Sequence, residues 1–293
     1  MELKENVEMA SLPNRKKLEE LAKQCPEATE EERYRFLNKR KGDYDGALEQ
    51  LQSYIQWRQH HNLDGKDDSA VKSSSSNEER QSCNVTYDEH DWDSAASAAI
   101  AVSSDNNEIN NNVKSDTFSK LPRLLRFDDV NGNDQMLDKY GNRIMQFLPA
   151  LLDSTLASET TYGLCIAFYL DKKLSRTSME TITVCIDVRA GHGWANPPAW
   201  SIVPFIKNMI RLLDTNFAGR CNKSIVYPLP LAAVALWKLI KPFIDPNTAA
   251  KIVIMRGYAS KDSELPCEMR EHIEKDVIDI MEENRRSAFN DNP

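Results

Sequence analysis

Apolar residues recur at intervals of three and four across residues 14–24. Leu18, Leu21 and Ala22 share one face there and Pro26 ends the run, so the spacing predicts a first helix. Thr29 and Glu32 form a capping-box pair, and the helix they open runs through ERYRFLNKRK to Gly42, read as the glycine just past its end. Asp43 is placed to cap a third helix, in which Ala47, Leu48, Leu51, Tyr54, Ile55 and Arg58 fall on one stripe. Residues 14–63 therefore read as a small helical module.

The pattern changes after LPRLLRFDD, near residue 120. NRIMQFLPA predicts a strand, and SETTYGLCIAFYLDKKL predicts a helix capped by Ser158, with Tyr162, Cys165, Ile166, Tyr169 and Leu170 facing inward. ETITVCIDV is rich in β-branched residues and reads as a strand buried on both faces. Trp200 to Asn216 carries a helical stripe of Val203, Ile206, Ile210 and Leu213. KSIVY and AAKIVIM are further strands, and a last amphipathic helix begins at Pro266 and buries Met269, Ile273, Val277 and Ile280. Strands alternating with helices predict an α/β fold, a mainly parallel sheet flanked by helices.

Between the last two strands lies PLPLAAVALWKLIKPFIDPNTAAK, residues 228–251. From Leu229 to Ile240 only Pro230 and Lys238 interrupt the apolar and alanine residues, so the predicted helix has no polar face. Such a helix is buried or covers something hydrophobic. It is too short for a transmembrane span, which needs about 20 apolar residues.

Charge redistributes this picture. The 293 residues carry a net charge of −8, which argues against nucleic acid as a partner. Residues 66–118 hold 11 acidic and 4 basic side chains, so nearly all of the excess sits there, beside 11 serines and 7 asparagines. Residues 64–118 read as a disordered acidic insert, in which AASAAIAV (95–102) forms a transient helix at most. The resulting domains are the module 14–63, the insert 64–118, a domain over 119–260, and a C-terminal helix and tail over 261–293.

The six cysteines are scattered without CxxC pairs or histidines at ligand spacing, so reduced thiols and no metal are expected. Charges interrupt the N-terminus where a signal peptide would need an apolar run, and a cytoplasmic, monomeric protein is expected. Cys185, Asp187 and His192 resemble a triad only superficially, because the first two lie two residues apart on one strand and no nucleophile motif accompanies them. The expectation is a protein that is not an enzyme and has no cofactor.

Arg35, Phe36, Leu37, Arg40, Lys41, Asp43, Ala47 and Leu48, the IDV strand, and WKLIKPFIDPNTAAKI from Trp237 to Ile252 together resemble the CRAL-TRIO lipid-binding family. The likeness to its phosphatidylinositol and phosphatidylcholine transfer members implies an apolar pocket over the sheet, closed by a gating helix at 231–240. It implies gate and pocket residues Leu231, Val234, Leu236, Trp237, Ile240, Phe243, Tyr169 and Ile186, and hinge residues Pro242 and Pro246. It places Arg40, Lys41 and Lys251 at the headgroup phosphate. It implies transfer or presentation of a phospholipid, with phosphatidylinositol the candidate, and transient peripheral membrane contact. Where the family often has an acidic residue before KSIVY, this chain has Gly219. A carrier of a retinoid, tocopherol or sterol, or a lipid-sensing scaffold, remains open.

Overall fold

The computed structural model describes residues 12–64, 87–105, 121–128, 136–191, 202–233, 235, 237–238, 241–244 and 246–290. The chain divides into two compact units, Met1–Val85 and Thr86–Pro293.

In the first unit, helices α1 (Leu12–Gln24), α2 (Glu30–Lys39) and α3 (Tyr44–His60) bury Leu21, Phe36, Leu37, Ala47, Leu51, Tyr54 and Ile55. The capping box forms as expected: the Thr29 side chain accepts from Glu32 N, and Glu32 Oε2 accepts from Thr29 N at 2.8 Å. The other Glu32 oxygen, wholly buried, accepts from Tyr54 Oη at 2.6 Å, and Arg58 donates to that phenol at 3.1 Å. At the end of α2 the left-handed residue just past the cap is Lys41, with φ 53°, and Gly42 follows with φ 81°. Gly42 N reaches Leu37 O and Lys41 N reaches Asn38 O, both at 2.9 Å. This is a Schellman end shifted by one residue from the expected glycine position. Asp43 precedes α3 but makes no side-chain cap bond.

The second unit is built on a five-stranded sheet in the order β1 (Leu125–Arg126), β2 (Arg143–Phe147), β3 (Ile182–Asp187), β4 (Cys221–Leu229) and β5 (Ile252–Arg256). β1 pairs antiparallel with β2, and all other pairs are parallel. Between the strands run α5 (Glu159–Lys173), α6 (Ile202–Asn216) and the short α7 (Pro246–Ala249). The Ser158 side chain caps α5 by accepting from Thr161 N. Successive parallel strands with right-handed connections place these crossovers on one face. A Cβ on Gly163 of α5 would lie 3.2 Å from Asn208 of α6, so the two helices meet closely there. The C-terminal segment is a 3-10 turn, Cys267–Glu271, followed by α8 (Lys275–Asn290), rather than one helix from Pro266.

The disordered reading of residues 64–118 fails over α4 (Tyr87–Asp105), a 19-residue helix. Trp92, Ala95, Ala96 and Ala99 are buried along one stripe of it. Asp91 near its start meets Lys173 at the end of α5 (2.9 Å), and Ser103 near its end meets Thr161 at the start of α5 (3.0 Å), so α4 lies antiparallel on α5. Trp92 Nε1 donates to Leu121 O at 3.0 Å, and its ring meets Tyr169 edge-on at 5.5 Å. The rest of the acidic stretch lies outside the described residues.

Candidate functional site

Side chains alternate across a strand, and the sheet's two faces are closed very differently. On one, Ile144, Cys185, Ile225, Tyr227 and Met255 are buried against Met269, Ile273, Ile278 and Met281 of the C-terminal segment. Gln146 on this face donates to Met281 O at 2.9 Å. Val277 and Ile280 flank the cluster, partly buried.

The opposite face carries Met145 and Phe147 of β2, Ile182, Val184 and Ile186 of β3, Val226 of β4, and Ile252 and Ile254 of β5. Met145 and Ile182 are buried, but Phe147, Val184, Ile186, Val226, Ile252 and Ile254 are only half-buried. Apart from Arg143 of β2 and Ser224 of β4 the face is apolar, and it is closed at Met145 and Ile182. α6 overlies it, with Phe205 set 6.4 Å from Phe147 between ring centroids. Burying this remaining apolar surface is favourable at roughly 25 cal/mol per Å², so the face suits a hydrophobic occupant.

Beyond β4, Leu231–Ala233 form a 3-10 turn, Ala235, Trp237 and Lys238 are helical, and Lys241–Phe243 form a second 3-10 turn before α7. Leu231 and Phe243 are 73% and 55% exposed, Trp237 is half-buried, and Lys238 and Lys241 face solvent. Pro242 is exposed within the second turn, and exposed Pro246 opens α7. Lys207 of α6 sets its ammonium 4.0 Å from the Phe243 ring centroid, joining α6 to this segment. Val234, Leu236 and Ile240 lie outside the described residues, as do His192, Trp194 and Trp200.

Ile186 lies on the open face. Tyr169 does not: it is fully buried against Trp92 and Phe127 on the side of α5 that faces α4, so it is a core residue. Lys251 is exposed just ahead of β5 rather than within it, and its Nζ donates to Cys221 O at 2.6 Å. That contact supplies a structural reason for a cation beside an apolar strand. Arg40 and Lys41 belong to the first unit; Arg40 donates from Nε to Gln50 Oε1 at 2.9 Å, and both residues face solvent.

At the carboxyl end of β3 stands a buried ionic cluster that sequence reading missed. Asp187 is wholly buried; Arg189 holds both its oxygens, at 2.7 Å for the shortest contact, and reaches Glu282 of α8 at 3.2 Å. Burial alone lowers the Arg189 pKa, but Asp187 and Glu282 outweigh it and hold the guanidinium above the ordinary arginine value. Arg285 also donates to Ala190 O and lies 3.6 Å from Asp187. Asp187 is therefore committed to arginines. Burial pushes the Cys185 thiol up, away from thiolate chemistry, so these two residues do not form a catalytic pair. The described cysteines are free, with Cys25, Cys165 and Cys185 buried. Among the described residues no group of three or more His, Cys, Asp or Glu is placed to hold a metal. No described helix is long and apolar enough to cross a membrane.

The sequence profile of the CRAL/TRIO domain matches residues 134–280. A CRAL-TRIO domain-containing protein of Schizosaccharomyces pombe is 25% identical over 133 residues, which make up 45% of this chain and 13% of that protein. The crystal structure of Sfh5 is similar at 15% identity with a TM-score of 0.48, covering 83% of this chain and 66% of that one. This chain thus spans a small part of its S. pombe relative's length. The profile match covers half of the sequence, from the approach to β2 into α8, and the chain belongs to the CRAL/TRIO domain family.

Proposed function

We propose that this protein carries a lipid on the open face of its sheet and passes it between membranes, with the segment 231–240 as the movable cover. The observation that carries this reading is the asymmetry of the sheet: one face packed shut, the other lined by Val184, Ile186, Val226, Ile252 and Ile254, all half-buried. Each CH₂ of an acyl chain left in water costs about 0.8 kcal/mol, and an apolar face under an apolar cover removes that cost. Pro242 and Pro246 bracket the cover's exit and serve as its hinge.

Lys251 is the phosphate contact assigned to this unit. One of the three N–H donors of its ammonium is engaged by Cys221 O, and a headgroup phosphate suits the others. Arg40 and Lys41 are assigned the same chemistry in the first unit, and phosphatidylinositol is the proposed lipid.

Mass spectrometry of the ligand that co-purifies, with transfer of labelled phosphatidylinositol and phosphatidylcholine between vesicles, tests the reading. A bound phospholipid and measurable transfer are expected. An empty, folded protein that transfers neither lipid refutes it. Lys251→Ala is expected to reduce phosphatidylinositol loading while leaving the fold intact; unchanged loading removes Lys251 from the assignment.

A single-chain or terpenoid ligand is the second reading, favoured by Gly219. This residue holds φ 74°, a conformation costly for the acidic side chain found there in many relatives by resemblance. Such a ligand in the mass spectrum would replace the phospholipid.

A further inference from the structure

The C-terminal segment that shuts one face of the sheet is fastened at both ends, by groups of different chemistry. At the carboxyl ends of the strands the fasteners are arginines: Arg189 reaches Glu282 of α8 at 3.2 Å, and Arg285 donates to Ala190 O. An arginine keeps its charge at every physiological pH, so this end holds through the range in which histidine titrates. At the amino ends the fastener is His272, between the 3-10 turn Cys267–Glu271 and α8.

His272 is half-buried between the wholly buried Met269 and Ile273, and its amide donates to Met269 O at 3.0 Å. Two neighbours tie it to the sheet. Lys139 N, in the turn ahead of β2, donates to His272 O at 2.9 Å, and Lys223 Nζ, on β4, donates to His272 Nδ1 at 3.2 Å. An ammonium has donors only, which assigns Nδ1 as the acceptor and leaves the single ring proton on Nε2. Both anchors are themselves fixed. Lys223 pairs across the sheet with Thr183, whose hydroxyl donates to Asp138 Oδ2 at 2.6 Å. Asp138 Oδ1 accepts from Tyr140 N and Asn142 N at 2.9 Å, which shapes the turn that carries Lys139.

We propose that His272 is a proton-operated catch: neutral, it fastens the start of the C-terminal cover to β4 through Lys223, and protonated, it lets that end go. A protonated ring carries a donor on each nitrogen and a positive charge, so Nδ1 then meets the Lys223 ammonium donor to donor and charge to charge. Lys223 has a second place to rest, since its ammonium lies 5.2 Å from the Tyr140 ring centroid. The charges around the ring are mixed. Lys223 on β4 and Lys139 ahead of β2 oppose a proton, whereas Asp138 of the same turn and Glu271 beside the ring favour one; Glu274 is engaged by Lys139 at 3.6 Å. Burial comes first and Lys223 next, and they outweigh the acids and hold the ring below the ordinary histidine value. The catch therefore contributes above that ordinary value, and its contribution is lost as pH falls through the depressed one. It works on the closed face and does not depend on what occupies the other.

Hydrogen exchange of the full chain at pH about 7.5 and about 5, corrected for intrinsic rates, reads the catch at the amides of Lys139, His272 and Ile273. Asp138, held below its ordinary carboxylate value, stays ionised throughout this window. Protection of the three amides is expected to fall about three- to tenfold on acidification, the share of one net hydrogen bond. The amide of Val188, which donates to Tyr227 O at 2.8 Å at the far end of the sheet, is expected to keep its protection. His272→Asn leaves an acceptor where Nδ1 stands and takes up no proton, so its three amides are expected to be protected alike at both pH values. Protection in the wild type that does not change with pH overturns the proposal, as does an equal fall in His272→Asn. Should that variant fail to fold, Lys223→Met decides: the His272 ring resonances are expected to titrate at higher pH than in the wild type, and an unchanged titration overturns the catch.

Discussion

Replacing Trp92 by alanine asks whether α4 is part of the folded protein. The indole is wholly buried, its ring packs edge-on to Tyr169 at 5.5 Å, and its Nε1 satisfies Leu121 O at 3.0 Å. Truncating a buried tryptophan costs about 3–5 kcal/mol in transfer and cavity terms. Leaving the Leu121 carbonyl without its donor adds about 1 kcal/mol. The expected loss, about 4–6 kcal/mol, is a large share of the roughly 5–15 kcal/mol that holds a domain folded. Urea unfolding followed by far-ultraviolet circular dichroism measures it as a fall in the midpoint at unchanged slope. Proteolysis within residues 87–105 should quicken in the variant. A chain in which 87–105 is disordered gives no such loss, so a change within about 0.5 kcal/mol, the usual scatter of surface substitutions, refutes the docked helix.

Arg189→Met should cost about 3–5 kcal/mol, because it strands the buried Asp187 carboxylate; a neutral result in the same urea assay would show that Arg285 compensates. Burial raises the Asp138 carboxyl, but donors from Thr183, Asn142 and Tyr140 outweigh that and hold it below its ordinary value. Its contribution is therefore present above the ordinary carboxylate range and lost as pH falls through the depressed folded value. The gap between the urea midpoints of wild type and Asp138→Asn should close on acidification, and a gap constant down to acid pH contradicts this. Lys207→Met removes the cation over Phe243 while keeping a long stem; with about 0.5–1 kcal/mol in such a contact, lipid transfer between vesicles should quicken about two- to fivefold, and an unchanged rate shows that the contact does not restrain the cover.

The capping box at Thr29 and Glu32 and the Ser158 cap were legible because each is written within a few consecutive residues, and the parallel sheet because strands alternate with helices along the chain. α4 was not, because composition averaged over fifty residues hid a local stripe. Trp92, Ala95, Ala96 and Ala99 fall at intervals of three, four and seven, the same spacing that identified α3. The Schellman end was misplaced by one residue because Lys41 accepts the left-handed conformation that Gly42 takes more cheaply. Tyr169 faced inward as expected, but a strip of helix surface does not say which neighbour it will meet. The Asp187 cluster was beyond reach for a similar reason: Arg189 lies two residues away, but Glu282 and Arg285 come from the far end of the chain.

The position of the open face follows from topology. The strands β2 to β5 run in sequence order, so every right-handed crossover lands on the same side and the other side must be covered by something else. The C-terminal segment supplies that cover with Met269, Ile273, Ile278 and Met281, which leaves it a wholly packed face. On the crossover side the connections differ. β2 to β3 and β3 to β4 are each bridged by a 15-residue helix, α5 and α6. β4 to β5 is bridged by a chain broken by Pro230, Pro242 and Pro246, ending in the four-residue α7. A proline cannot donate to a helical ladder, so this last crossover covers its strands less rigidly than its predecessors. On this side Met145 and Ile182 are buried, while Phe147, Val184, Ile186, Val226, Ile252 and Ile254 are half-buried. The most interrupted crossover thus belongs to β4 and β5, whose Val226, Ile252 and Ile254 are half-buried, and this is the physical ground for the proposal that the cover lies there.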